Sequence, residues 1–446
     1  MKHYEAIVIG AGPAGYEAAL NIANKGLKTL LIEKTKENIG GTCLNEGCIP
    51  AKQYLEASSH ISNLSFLKEL GVELELKDFD IKQLQQKTKE LKDEIRSGVL
   101  WLLEQAKVDI LYGSGKFIDE KTIEVNGETI SFDKVLIATG SKTKELEHIP
   151  FDGDKIISSK DIFTLEELPK SITILGSGAI GCEAASFFKG CGSDVTLISK
   201  GDRILSKEDE DISKALQRSF KRKGINILLN TNIKSIKKNP NNIEITLDGQ
   251  ADRQIICDKL LICTGRVPNC NHLNIEKANI EKDTKGYIKV NSSFETSKSH
   301  IYAVGDCIDT PAFAHTAGME AKIAAINISK DQTLTNTHLT PSTIFTQPNI
   351  ASCGIKQKDL KEDEDIQIKK AYFKANSKAK IMGDDLGFVK IFVDKDDKIL
   401  SASMIGIGVT EMIDQFVLAI EKNITYKEFK NIIRAHPTLS EIISYL

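Results

Sequence analysis

Cys43 and Cys48 stand five residues apart in the run GGTCLNEGCIPAK, behind two glycines and ahead of a segment with helical character. Thiols so placed can close a reversible bridge or ligate a metal. A bridge needs sulfurs at bonding distance, which five residues of ideal helix do not provide, so the spacing predicts that Cys43 lies at an irregular helix start. Zinc would want two further nearby ligands; no second paired motif appears, and no metal is expected. A helix N-terminus also favours the thiolate, which is the nucleophilic form. Far along the chain, RAHPTLSE sets His436 before Pro437 and Glu441 five residues later. An imidazole there can carry a proton while the carboxylate orients it and stabilises its charged form. A histidine beside a proline is more often structural. Thiol–disulfide exchange has protons to move, however, and that need gives His436 a task.

Two glycine loops point to nucleotides. Gly10, Gly12 and Gly15 follow the apolar run EAIVI and open a helical segment, and Glu33 ends the next apolar run about 20 residues on. Such glycines permit a tight turn and close approach of a pyrophosphate to the helix N-terminus, while the acid can bind ribose hydroxyls. The second loop, Gly176, Gly178 and Gly181, has the same setting, but Ser199 and Lys200 stand where the acid is expected. An acid there favours the 2'-hydroxyl of NAD. A cation accommodates the 2'-phosphate of NADP, and Lys200 with Arg203 could supply one, so the sequence leaves the coenzyme open. Two sites beside a cysteine pair imply two dinucleotides, FAD at one and a nicotinamide coenzyme at the other. In HIYAVGDCI, Asp306 can hydrogen-bond a flavin's sugar-alcohol chain.

The elements that must hold these residues repeat. EAIVIG, a helix through Lys25 and KTLLIE form one βαβ unit; SITILGSGAIGCEAASFF and SDVTLIS form a second. VLIATGSK, with Thr139 and Gly140, closes the first in nearly the words that LLICTGRVPN, with Gly265, closes the second. IKQLQQKTKELKDEIRSGVLWLLEQAK has the spacing of an amphipathic surface helix covering a sheet. From Thr340 the texture changes to extended segments followed by the helical GVTEMIDQFVLAIEK, which predicts an α+β domain. The expected fold class is therefore α/β, with two Rossmann-like dinucleotide-binding domains plus an α+β C-terminal domain. At 446 residues, about three domains fit the length.

Composition narrows the setting. A net charge of −3 and 27% charged residues point to neither nucleic acid nor an anionic membrane. No apolar stretch approaches the ~18 residues that span a bilayer, and the first residues run straight into a strand, so a cytoplasmic protein is expected. The seven cysteines besides Cys43 and Cys48 mostly sit in apolar runs and read as packing residues.

Assembled, GGTCLNEGCIPAK and AHPTLSE resemble the flavoprotein disulfide reductases, the class I pyridine nucleotide-disulfide oxidoreductases, over nearly the whole chain. TPSTIFTQPNIASCG, ANSKA and GDDLGFVKIF resemble the dihydrolipoyl dehydrogenase branch more than glutathione or mercuric reductases. The resemblance implies an FAD-binding domain over 1–145 and 270–335, an NAD(P)-binding domain over 146–269 and a dimerisation domain over 336–446. It implies that Cys43 exchanges with substrate, that Cys48 lies against the flavin, and that His436, oriented by Glu441, serves the cysteines of a partner subunit. Lys52 matches the family's flavin lysine, and Glu183 lies near the nicotinamide. The implied reaction oxidises dihydrolipoamide, carried on a partner acyltransferase or H-protein, through a Cys43–Cys48 disulfide and FAD to reduce NAD; an NADPH-dependent reductase of another small disulfide is the alternative. The chain departs from the family at Glu46, where relatives usually have an apolar residue, and at Arg434, where many carry histidine.

Overall fold

The computed structural model describes all residues except 77, 249–253, 331–332 and 361–364. The chain gathers into two compact units. One comprises Met1–Gln53, Gln83–Lys144 and Gly265–Thr337; the other comprises Tyr54–Lys82, Glu145–Thr264 and His338–Leu446.

The first unit opens with β1 (Lys2–Ile9), α1 (Pro13–Ala23) and β2 (Thr29–Glu33). Ile7, Val8 and Ile9 are buried, as a strand covered on both faces requires. Helix α1 begins at Pro13, where proline's missing N–H has no intrahelical partner to lose. Then come α2 (Gly41–Glu46), the start of α3 (Cys48–Ser62), whose later turns belong with α4 (Leu64–Glu69) to the second unit, and the long α5 (Ile81–Gln105). Val99 and Leu103 of α5 join the core of the sheet, while Trp101 and Leu102 of the same helix stay exposed. Strands β3 (Asp109–Tyr112), β4 (Lys116–Phe117), β5 (Thr122–Val125) and β6 (Glu128–Ile137) complete the order β3-β2-β1-β6-β5-β4. The pairs from β3 to β6 are parallel, and β4 and β5 form an antiparallel flank. β7 (Ser141–Thr143) follows.

In the second unit, β8 (Ile156–Ser158), β9 (Ser171–Leu175), α6 (Ala179–Gly190), β10 (Asp194–Ile198), α7 (Glu210–Arg222) and β11 (Asn226–Leu228) repeat the βαβ pattern. An antiparallel sheet of β12 (Asn232–Lys238), β13 (Ile243–Asp248) and β14 (Gln254–Cys257) intervenes, and β15 (Lys259–Ile262) then completes a parallel sheet of order β11-β10-β9-β15-β8.

The chain next returns to the first unit with β16 (Arg266–Pro268), which pairs with β7, β17 (Ile301–Ala303), which pairs in parallel with β6, and α8 (Ala314–Lys330), which packs on α1. Both helices bury small side chains, Ala14, Ala18 and Ala19 on α1 and Ala317, Ala321, Ala324 and Ala325 on α8, which suits their close packing.

The C-terminal part of the second unit is an antiparallel sheet of β18 (Ser342–Ile344), β19 (Asn349–Gly354), β20 (Gln367–Tyr372), β21 (Phe388–Val393) and β22 (Ile399–Gly406), in the order β18-β19-β22-β21-β20. Helix α9 (Ser377–Ile381) precedes β21, α10 (Val409–Glu421) packs on β19 and β22, and α11 (Tyr426–Asn431) follows. This is the α+β texture expected from Thr340 onward. Strands β12 and β20 carry lysines and lack clean apolar alternation, whereas β13 turns Ile243, Ile245 and Leu247 inward and leaves Asp248 exposed.

Candidate active site

The first glycine loop is shaped by contact. A side chain at Gly10, whose φ is +99°, would meet the Ala138 carbonyl at 2.5 Å; one at Gly15 would meet the Gly10 carbonyl at 1.7 Å. These two glycines press strand end and helix together. Gly12 has room, its nearest neighbour being the Gly41 Cα at 3.8 Å. Glu33 accepts hydrogen bonds from the backbone N–H of Ala11 and of Lys34, each at 2.7 Å. Burial pushes its carboxyl above the usual range, against those bonds. Glu33 thus braces the loop from inside.

The same loop carries the cysteines. Gly40 donates its N–H to the Ala11 carbonyl at 2.8 Å, and a side chain at Gly41 would meet the Gly12 Cα at 2.5 Å. Only glycine lets α2 start against the nucleotide loop. Cys43 sits in α2 and Cys48 opens α3. The irregularity expected at Cys43 is instead at Gly47, between the two cysteines, where φ and ψ are −138° and −116°. A side chain at Gly47 would lie 2.9 Å from the Thr42 carbonyl and 3.4 Å from the Cys43 Cα, so this break folds the chain back on itself and brings the sulfurs together.

Of the two cysteines, Cys48 is the more exposed. Their side chains hydrogen-bond, and that bond, followed by burial and the nearby Cys48 charge, raises the Cys43 thiol above its ordinary value; Lys52 and the Cys48 backbone act the other way. The pair is therefore asymmetric, with the Cys43 thiol raised. Cys48, as the first residue of α3, lies where helix N–H groups favour negative charge. The remaining cysteines are buried or half-buried, and burial pushes Cys191, Cys263, Cys307 and Cys353 up to about 12. They are packing residues.

At the far end of the β6 loop, Thr139 buries a hydroxyl with no hydrogen-bond partner among the described residues, and a side chain at Gly140 would meet nothing within 4 Å. Asp306 accepts a 2.6 Å hydrogen bond from Ser141, whose oxygen in turn accepts one from Arg266 Nε at 2.7 Å. Glu320 of α8, only 2% exposed, accepts the Gly305 N–H at 2.7 Å and the Thr310 hydroxyl at 2.5 Å. The orphaned hydroxyl, the open glycines and the braced Asp306 fit a dinucleotide with a flavin. Ser141, Arg266 and Glu320 had no spacing signal; Arg266 stood in view within TGRVPN.

In the second loop, side chains at Gly176 and Gly181 would meet the Cys263 carbonyl at 2.4 Å and the Gly176 carbonyl at 1.9 Å, while Gly178 faces open space. Ser199 is buried and hydrogen-bonds the Ser177 hydroxyl at 2.8 Å, taking the bracing place that Glu33 holds in the first loop. Lys200 is exposed, and Arg203 donates to the Ser206 carbonyl at 2.9 Å. Glu183 of α6 accepts the Phe345 N–H at 2.9 Å. Gly265, with φ at +127°, accepts the Lys144 N–H through its carbonyl at 3.0 Å, within the first unit rather than at the second loop.

His436 Nδ1 lies 2.8 Å from Glu441 Oε1, and the imidazole is 72% exposed. The other Glu441 oxygen accepts the Thr438 N–H at 2.7 Å, and Thr438 caps the last helical turn. That backbone bond, then His436, holds the Glu441 carboxyl below its ordinary value. Arg434 donates to the carbonyls of Phe429 and Ile432, pinning the segment before His436.

A paired-thiol loop built onto one dinucleotide site, a second dinucleotide fold and a carboxylate-oriented histidine define a disulfide oxidoreductase that uses two nucleotide cofactors. Residues 4–321 match the pyridine nucleotide-disulphide oxidoreductase family and residues 340–446 its dimerisation domain, and the chain belongs to that family. It is an enzyme, and its cofactors are FAD and a pyridine nucleotide. Among its relatives is the dihydrolipoyl dehydrogenase of Bacillus subtilis strain 168, 36% identical across 98% of this chain and 96% of that one. The dihydrolipoyl dehydrogenase of Geobacillus stearothermophilus is 34% identical over 98% and 94%. Among solved structures, LpdA from Mycobacterium tuberculosis superposes with a TM-score of 0.91 at 26% identity, over 100% of this chain and 98% of that one. The HOCl-induced flavoprotein disulfide reductase RclA from Escherichia coli gives 0.89 at 27%, over 99% and 98%. Among the described residues, no helix is long and apolar enough to cross a membrane.

Proposed function

We propose that the chain is a dihydrolipoyl dehydrogenase, oxidising dihydrolipoamide and reducing NAD. The observation that carries the reading is the asymmetric thiol pair. In exchange, an incoming thiolate expels the sulfur that better bears negative charge. The Cys43 thiol is raised and Cys48 sits on a helix N-terminus, so in this reading substrate attacks Cys43 and Cys48 leaves. One substrate sulfur bonds Cys43 as the Cys43–Cys48 bond breaks; the second then displaces Cys43, leaving lipoamide and two reduced cysteines. His436, with Glu441 on its Nδ1, takes the proton at its other nitrogen. In this reading the histidine acts on the cysteines of a second copy in a homodimer built on 336–446.

Residues 1–145 and 270–335 form the FAD-binding part, where Gly10, Gly12, Gly15, Glu33, Thr139, Gly140, Lys52 and Asp306 would hold the cofactor. Gly176, Gly178, Gly181, Glu183, Lys200 and Gly265 of the 146–269 region and its border would hold the nicotinamide nucleotide. Bound FAD supplies two-electron transfer between the dithiol and the nicotinamide. The lipoyl group arrives on an acyltransferase or H-protein in the cytoplasm.

Ser199 supports a second reading. With no acid to reject a 2'-phosphate and Lys200 exposed beside it, the site suits NADP(H) and the reduction of another small disulfide. Steady-state reduction of NAD and of NADP by dihydrolipoamide, with C48S as control, separates the two. Rapid NAD reduction lost in C48S supports the dehydrogenase; inactivity with dihydrolipoamide but NADPH-driven reduction of another disulfide supports the second reading.

A further inference from the structure

Asn45 and the acidic Glu46 lie between Cys43 and Cys48. The Asn45 amide donates to the carbonyls of Ile39 and Gly41, at 3.2 and 2.9 Å, straddling Gly40 at the start of α2. Its side-chain oxygen accepts from Arg96 Nη2 at 2.7 Å, and its backbone carbonyl accepts from Lys92 Nζ at 3.3 Å. Arg96 and Lys92 are four residues apart on α5 and so share a helix face. The Arg96 side chain is 14% exposed, and its Nη1 pairs with Asp93 at 2.5 Å. We propose that Arg96 and Lys92 are positioning residues for the redox couple: Arg96 fixes the loop between the cysteines through Asn45, and Lys92 offsets the charge of Glu46 beside Cys48.

The charges around Lys92 bear this out. Burial lowers its ammonium below the ordinary value, as does Arg96, while Asp93 and Glu46 raise it and Lys89 lowers it. A half-buried cation held against a loop carbonyl acts on a thiolate with less screening than a surface one. Lys52 of α3 is a cation that acts on Cys43 itself. The loop therefore carries one acid of its own and borrows its compensating charge from α5. Arg96 works by geometry: without it, Asn45 loses the anchor tying α2 to α5, and Cys43 is no longer held over Cys48.

The proposal rests on Cys43 and Cys48 being the redox couple. Intact holoenzyme is equilibrated in glutathione buffers, alkylated and weighed. The disulfide plus two glutathiones gives the dithiol plus glutathione disulfide, two electrons and two protons passing to the cysteines. Cations stabilise the thiolate and hence the reduced form, so K92Q should move the equilibrium about threefold toward the disulfide, about 14 mV lower in midpoint potential. E46V should move it the opposite way, and the double variant should return to the wild-type value. R96M should raise the equilibrium fraction held as a mixed disulfide with glutathione about tenfold, because closure onto the second cysteine becomes less favourable, and R96K should restore it. Thermal midpoints confirm that each variant is folded. Unchanged potentials, shifts of one sign in K92Q and E46V, or an unaltered mixed-disulfide fraction in R96M overturn the proposal. A wild type that never closes Cys43 to Cys48 overturns the redox reading itself.

Discussion

His436 and Glu441 illustrate how little of a paired imidazole and carboxylate lies in identity alone. Glu441 gives one oxygen to a backbone N–H and the other to the imidazole, so the same carboxylate that caps a turn also sets the ring. His436→Gln should lower kcat for dihydrolipoamide oxidation by about 10²–10⁴-fold, the ordinary worth of a positioned acid-base, read in steady-state assays. Glu441 is held below its ordinary value, so its contribution to folding is present at neutral pH and is lost as pH falls through that depressed value. The thermal midpoints of wild type and E441Q should accordingly differ most near neutrality and converge under acid, below the ordinary glutamate value of about 4.3. Parallel midpoint curves would show that the carboxylate's charge is idle.

At the scale of elements, glycines decide whether the site can form. In Gly15→Ala the new carbon would overlap the Gly10 carbonyl at 1.7 Å, so α1 must part from β1, and purified protein should lose most of its bound flavin. Gly47→Ala meets the Thr42 carbonyl at 2.9 Å, a smaller conflict; flavin content should hold while the fraction of cysteine pairs that close on oxidation falls. In the second unit, Lys390 of β21, 4% exposed, lies 3.0 Å from Asp209, 3% exposed, at the N-cap of α7. This buried pair ties α7 to the C-terminal sheet. Lys390→Ala strands the carboxylate and should cost about 3–5 kcal/mol in denaturant unfolding.

For the whole molecule, shared sites make a quantitative expectation. If the partner subunit's His436 serves Cys43, then C48S and H436Q homodimers are each inactive, yet hybrids refolded from a mixture carry one competent site. Activity should reappear on mixing, approaching a quarter of wild type when random pairing makes about half the dimers hybrid. No recovery in dimers shown to be mixed would place each histidine in its own protomer's site.

The candidate chemistry was legible in the sequence alone because it resides in local strings. Paired cysteines behind glycines, glycine loops after apolar runs and a histidine five residues from an acid are short-range patterns set by backbone sterics and side-chain reactivity. The doubled βαβ pattern was legible for the same reason, since its periodicity is written within about thirty residues. What only the tertiary structure decided are contacts between residues far apart in the chain. Gly41 against Gly12, Asn45 beneath Arg96, Ser141 between Arg266 and Asp306, and Lys390 under Asp209 leave no periodic trace. Even the break at Gly47 was visible as a glycine but not as a fold-back, because its cause is the Thr42 carbonyl that the chain must pass. Such contacts exist only once packing has brought distant segments within bonding distance.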